Sequence, residues 1–266
     1  MSVTVSPGES LLDRLANAVS GVGRAIFALA VVAIGIETWV CARTVGHPLG
    51  RGYDALNLIP WLPAIPWLAY LAGTIWVACG AGIVWKRTAG RAAMVLGTLF
   101  VVCALIIVGP VFLRNLGSIP ARTVFLEPIV IACVALLIPA RGAIPEWLVE
   151  AGRYVFAVSL VVFGVDHLVG LAFHASFVPW WLPWHTFWAA FFGVAFLAAA
   201  VSLAFRVLDR WGAAGLGLMF GIWVLTLHVP RVMGFLGGGG LRDADEWSSM
   251  LIAMALWGGA WAISKA

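Results

Sequence analysis

Long apolar stretches separated by short polar turns dominate the chain. Stretches of bilayer-spanning length fall in eight places, at about 24–42, 62–85, 91–113, 124–140, 153–173, 183–205, 211–230 and 247–264. Within them the apolar positions are continuous rather than alternating, which favours helices over membrane strands. The pattern therefore predicts an all-α integral membrane protein with eight transmembrane helices.

Composition agrees with a membrane protein. Of the 266 residues, 63% are hydrophobic and 11% are charged, whereas soluble domains carry about 25% charged residues. The net charge of +4 does not indicate a nucleic-acid partner, because the basic residues are scattered between apolar stretches and flank predicted spans. We therefore expect a lipid bilayer as surroundings and no nucleic acid. The cysteines fall in separate apolar stretches and are expected to be buried free thiols: Cys41, Cys79, Cys103 and Cys133.

The two halves of the chain repeat each other. "GRAIFALAVVAIGIE" (23–37) aligns without gaps on "GRYVFAVSLVVFGVD" (152–166), so that Glu37 falls on Asp166. Further along, a second constant offset pairs Pro63 with Pro183, Gly73 with Gly193, Gly97 with Gly217 and Pro110 with Pro230. Shared turn and packing residues at a constant offset indicate an internal duplication.

An even number of spans in each half makes both halves enter the membrane from the same side. The sequence therefore predicts two parallel four-helix repeats, 24–140 and 153–266, related by a pseudo-two-fold axis along the membrane normal. Residues 141–152 form the predicted linker. Residues 1–23 form either an interfacial helix, with Ser6 and Glu9 in a capping box, or a solvated tail.

Lysine and arginine are unequally divided between the two sides. Ten lie on the side of the termini and six on the other side. By the positive-inside rule both termini are expected to be cytoplasmic, in a bacterial inner (plasma) membrane. The tryptophans of "PWWLPWHTFW" (179–188) then fit the aromatic belt at the opposite, extracytoplasmic interface.

Polar residues of the second half meet at one predicted membrane level. Asp166, His167, His185 and His228 lie at the extracytoplasmic ends of three predicted spans. Membrane acids need partners or a wet cavity, and Arg43 and Arg231 are candidate partners for Asp166 and Glu37. Two interpretations stay open: a working site, and residues that only cap helix ends or bind loop carbonyls.

Comparison of the halves favours a specialised site in the second one. Thr38, Ile65 and Val108 stand opposite His167, His185 and His228, so these histidines have no counterparts in the first half. His167 and His174 are expected to lie about 10.5 Å apart along one continuous helix, too far to share a metal ion. No metal site is predicted, and no spacing singles out haem.

Three short motifs resemble the DoxX-like membrane family. "GVDH" (164–167) ends one span, "PWWLP" (179–183) precedes the next, and "HVP" (228–230) closes a third. The resemblance covers 153–264 well and 24–140 more faintly, and it implies a fused pair of four-helix units. One departure is that Val194, Ala195 and Phe196 follow Gly193, where the family often carries an acid.

The resemblance implies more than one function. Some relatives are subunits of quinone-linked redox complexes, which would make Asp166, His167, His185 and His228 the catalytic residues and a quinone the cofactor. In that role a neutral histidine donates to a quinone carbonyl and an adjacent acid relays the proton. The alternatives are a non-enzymatic assembly factor that docks partner proteins on its extracytoplasmic loops, and a carrier of small molecules or lipids.

Overall fold

The computed structural model describes residues 11–42, 66–139, 142–236 and 240–264. Over these residues the chain forms helices and no strand. Seven of the helices are long and apolar enough to cross a membrane. The all-α membrane character predicted from the apolar stretches is therefore confirmed for the described part of the chain.

The helices follow the predicted spans closely, with two interruptions of α-helical geometry. In chain order they are α1 (Leu11–Cys41), α2 (Pro66–Val84), α3 (Ala89–Val102), α4 (Gly109–Arg114), α5 (Ile119–Leu137), α6 (Glu146–Val169), α7 (Leu171–Ala175), α8 (His185–Phe205), α9 (Asp209–Trp223), α10 (Val229–Val232) and α11 (Ala244–Ile263). The π-helical segments Cys103–Val108 and Val224–His228 join α3 to α4 and α9 to α10. Each of these joined pairs makes one membrane span.

Two helices run through the predicted segment boundaries. α1 continues unbroken from Leu11 past residue 23, and its 31 residues give a length of about 46 Å at the α-helical rise. A hydrocarbon core is about 30 Å thick, so α1 extends beyond it. α6 begins at Glu146, inside the predicted linker. Ser6, Glu9 and Pro63 lie outside the described residues.

α11 is 20 residues long but is not one of the seven helices that are candidate membrane spans by length and composition. It packs against α1, α5 and α9, and most of its residues are buried, including Glu246 and Ser248. A helix enclosed by other helices meets little lipid, so polar groups that find partners are tolerated on it. Its mixed composition therefore follows from its central position.

Paired glycines bring neighbouring helices into close contact. A Cβ added to Gly35 on α1 would lie 2.6 Å from the Gly73 carbonyl oxygen on α2, and one added to Gly164 on α6 would lie 2.8 Å from the Gly193 oxygen on α8. Small residues permit this backbone approach, which is how membrane helices gain packing energy without a hydrophobic effect between them. The α1–α2 and α6–α8 contacts thus both form where two glycines lie opposite each other.

Each half also packs against the other. α1 lies along α11, and α6 lies along α5, so the first helix of each half contacts the last helix of the other half. Buried apolar residues from all the long helices form one large core, and Cys41, Ala42 and Ala69 form a small separate cluster. All four cysteines are free and buried, as predicted.

Candidate functional site

Asp166 is buried near the end of α6, with 4% of its surface exposed. Arg122 of α5 binds its carboxylate at both oxygens: Nε donates at 2.9 Å and 3.0 Å, and Nη2 donates at 2.7 Å. The remaining Nη1 of Arg122 donates to the Leu116 carbonyl at 2.7 Å. Asp166 therefore takes part in a bidentate ion pair that joins the two halves of the chain.

Neither expected partner of Asp166 is the one observed. Arg231 instead donates to Glu246, from Nε at 2.7 Å and from Nη2 at 2.5 Å, and Arg43 lies outside the described residues. Arg122 precedes the predicted span, which begins at residue 124. The helix begins five residues earlier, at Ile119, with Ser118 as its capping residue, and this first turn brings Arg122 to α6.

His167 stacks on His174, contrary to the expected separation of about 10.5 Å for one continuous helix. The ring centroids are 3.7 Å apart and the planes differ by 23°. The prediction of one continuous helix through both histidines was wrong, because the helix breaks at Gly170, between α6 and α7. Gly170 has no Cβ, and an added one would lie 2.3 Å from Cδ1 of Ile119. A larger residue at this position would therefore require the Ile119 side chain to move.

Both imidazoles are held by the same kind of hydrogen bond. Nδ1 of His167 lies 2.8 Å from the Phe163 carbonyl oxygen, and Nδ1 of His174 lies 3.0 Å from the Gly170 carbonyl oxygen. A carbonyl oxygen only accepts, so Nδ1 carries the proton in each ring. In a neutral ring Nε2 is then left with a lone pair, which accepts a hydrogen bond. The stacked rings thus present two acceptors.

Aromatic rings surround this histidine pair. The Trp223 ring lies 5.9 Å from the His167 ring and nearly parallel to it, and the Phe196 ring lies 5.2 Å away at a tilt of 58°. On the other side Phe173 meets His174 edge-on at 5.1 Å. Four helices, α6, α7, α8 and α9, therefore build one imidazole and aromatic cluster.

His174 lies outside the membrane-spanning helices, on α7. Burial lowers its pKa below the ordinary value of 6.5, because desolvation disfavours the charged imidazolium. The Gly170 carbonyl and the Asp166 charge act in the opposite direction but do not outweigh burial. His174 is therefore neutral at pH 7.

His228 is the last residue of the second π-helical segment. Its Nδ1 atom is buried and has no hydrogen-bond partner among the described residues. Three residues further on, Arg231 forms the ion pair with Glu246 of α11. His228 thus lies beside a charged pair that is separate from the Arg122–Asp166 pair.

His185 opens α8, following Trp184 in the left-handed region at a φ of 60°. It lines a shallow groove of about 560 Å³ with Trp184, Thr186 and Phe187. No hydrogen bond or ring contact recorded for the described residues joins His185 to Asp166, His167 or His228. Of the four predicted site residues, Asp166 and His167 are adjacent but turn to different partners, while His185 and His228 have surroundings of their own.

The matching region of the first half is built differently. Thr38 is fully buried and donates to the Ile34 carbonyl at 2.7 Å, using the same four-residue spacing as His167 and Phe163. Glu37 accepts a hydrogen bond of 2.6 Å from Ser248 on α11. A hydroxyl thus takes the place of an imidazole at the position that matches His167.

No family model matches the chain, and neither does any curated protein or solved structure.

Proposed function

We propose that the chain is a fused pair of four-helix units of the DoxX-like type, with eight transmembrane helices in two parallel repeats. In this arrangement α11 is the eighth span, and its enclosure by α1, α5 and α9 accounts for its polar residues. The extracytoplasmic side is the one that holds the Arg122–Asp166 pair. The termini are cytoplasmic, and the membrane is the bacterial inner membrane.

Corresponding contacts support the repeat. At the constant offset of the alignment, the stacked pair Trp76–Phe100, with centroids 5.5 Å apart, matches Phe196–Phe220 at 5.8 Å. Both π-helical segments come just before a matched proline, Pro110 and Pro230. Independent helices have no reason to share ring pairs, glycine contacts and π-helical segments in the same order.

We further propose that the second repeat binds a lipophilic quinol. The ring hydroxyls of this aromatic ligand contact His167 and His174. The observation that carries this proposal is the pair of stacked imidazoles, whose Nδ1 protons are bound to helix carbonyls. The free acceptors suit a hydroxyl donor. Trp223 and Phe196 supply an apolar wall for an aromatic ring.

The hydrogen bonds of His167 and Asp166 change the roles expected of these two residues toward a quinone. His167 accepts a proton at Nε2 rather than donating to a quinone carbonyl, and Asp166 is bound to Arg122 rather than relaying protons. A quinol that becomes a quinone releases two protons and two electrons. In the redox role that the resemblance implies, the imidazoles take the protons and a redox partner protein takes the electrons.

Replacing His167 by alanine tests this ligand site. The variant loses one acceptor and the stack on His174, so we expect quinol affinity to fall at least about tenfold, the worth of one hydrogen bond plus ring contacts. Binding is measured by titrating a short-chain quinol under anaerobic conditions into the purified protein. Thr38→Ala, the matched change in the first half, is expected to leave the affinity within about twofold. Equal affinities for His167→Ala and the unaltered protein would refute the site.

Acidification is expected to weaken quinol binding. Burial lowers the pKa of His174 in the folded protein, so the fold favours the neutral ring. The stability that this preference contributes is lost as the pH falls below the ordinary histidine pKa of about 6.5. A protonated ring also has no acceptor at Nε2. Titrations between pH 5 and pH 8 should show tight binding at the alkaline end. Affinity that rises on acidification would contradict the acceptor role.

A further inference from the structure

The turn between α2 and α3 gathers exposed basic side chains beside an exposed tryptophan. Trp85 is 64% exposed, and Lys86, Arg87 and Arg91 are exposed within the following six residues. Thr88 holds the turn, since its hydroxyl donates to the Gly82 carbonyl at 2.6 Å. These residues join two helices that are long and apolar enough to cross the membrane, so the turn lies at a membrane surface.

The three cations of this turn have no carboxylate near them along the chain. No aspartate or glutamate occurs anywhere from residue 55 to residue 126. Of the ion pairs among the described residues, none includes Lys86, Arg87 or Arg91. The positive charge of the turn is therefore not neutralised by the described protein.

The matching turn of the second half is built differently. Arg206, between α8 and α9, pairs with Glu150 of α6, and the same Glu150 pairs with Arg153. Asp209 opens α9 beside Arg210. Phe205 is exposed there, as Trp85 is in the first half. The two turns thus share an exposed aromatic ring, but carboxylates accompany the cations only in the second.

We propose that the α2–α3 turn binds the headgroup of an anionic phospholipid, with its phosphate held by Lys86, Arg87 and Arg91. An anionic lipid supplies the negative charge that this turn lacks, and its acyl chains remain in the bilayer beside the apolar helices α2 and α3. Tryptophan is favoured at headgroup depth, so Trp85 sets the turn at the level of the phosphates. The site does not depend on the histidine cluster.

The experiment titrates fluorescent phosphatidylglycerol into the full-length protein purified in a neutral detergent. Basic residues at a membrane surface each contribute about fivefold to the binding of anionic lipid. The triple variant Lys86→Gln/Arg87→Gln/Arg91→Gln is therefore expected to lose about a hundredfold in affinity. The matched variant Arg206→Gln/Arg210→Gln should change it less than about threefold, because Glu150 pairs with Arg206 and Asp209 is the chain neighbour of Arg210.

Further measurements distinguish a local site for an anionic lipid from other kinds of binding. Fluorescent phosphatidylcholine should bind at least about tenfold more weakly, and equal binding would overturn the requirement for an anionic headgroup. Inorganic phosphate should not displace the lipid at equal concentration, and displacement would show a free-phosphate site instead. An equal loss in both variants would show a diffuse charge effect and overturn the local site. If the triple variant unfolds, the single changes Arg87→Gln and Arg91→Gln decide, each with an expected loss of about fivefold.

Discussion

Replacing Asp166 by asparagine is expected to lower the free energy of unfolding by about 2–3 kcal/mol, less than the roughly 3–5 kcal/mol of a fully buried ion pair, because 23% of the Arg122 side chain is exposed to solvent. The carboxylate accepts three hydrogen bonds from Arg122, and its side chain is 5% exposed. The variant leaves the guanidinium between α5 and α6 without an opposite charge. The measurement is unfolding of the purified protein in mixed micelles, followed by helical circular dichroism as the denaturing detergent is increased.

A double variant separates the ion pair from simple loss of packing. Arg122→Met/Asp166→Leu replaces both charges with apolar side chains, and such replacements are often neutral, within about 1 kcal/mol of the original. The double-mutant cycle should therefore show strong coupling between the two positions. Unfolding of Asp166→Asn at the same detergent fraction as the unaltered protein would mean that the pair does not hold the halves together.

Replacing Gly258 by alanine is expected to have the second large effect. An added Cβ would lie 2.3 Å from the Phe27 backbone nitrogen and 2.7 Å from the Gly23 carbonyl oxygen. These are backbone atoms of α1, so α1 and α11 must move apart along their whole contact. We expect a loss of about 3 kcal/mol or more, at the upper end of the cost of overpacking. The same detergent unfolding measures it.

Gly215 of α9 provides the matched control. It also lies within a helix, but nothing lies within 4 Å of a Cβ added there. Gly215→Ala should therefore stabilise the protein slightly, by about 0.5–1 kcal/mol, because alanine loses less conformational freedom than glycine in a helix. If Gly258→Ala lowers the free energy of unfolding no more than Gly215→Ala does, the close approach of α1 and α11 is refuted.

The apolar pattern was sufficient to predict most helices. Length and continuity located the seven apolar spans, because lipid requires a helix whose backbone groups are all bonded internally. Burial of the four thiols followed from the same stretches. The count of eight and the pairing of the halves into parallel repeats remain predictions, supported by the matched contacts.

The geometry of the site depended on features that hydropathy does not register. The predicted span began after Ile119, where α5 starts, although Ser118 and Pro120 form a recognisable helix start. Arg122 was therefore not predicted as the partner of Asp166. The break at Gly170 was hidden because the apolar stretch continues across it. Glu127, a half-buried acid inside α5, was overlooked for the same reason. Partner choice for Asp166 required knowing that α5 lies beside α6.

The contact between α1 and α11 has a consequence for biogenesis. Ser20 donates to the Ala262 carbonyl at 2.8 Å across 242 residues of sequence, so α1 completes its packing only when α11, which is synthesised later, has joined it. Until α11 is inserted, the Gly23 face of α1 lacks the partner that it contacts in the finished protein. This contact therefore forms only after α11 has been synthesised, and a chain truncated before α11 presents that face of α1 to lipid.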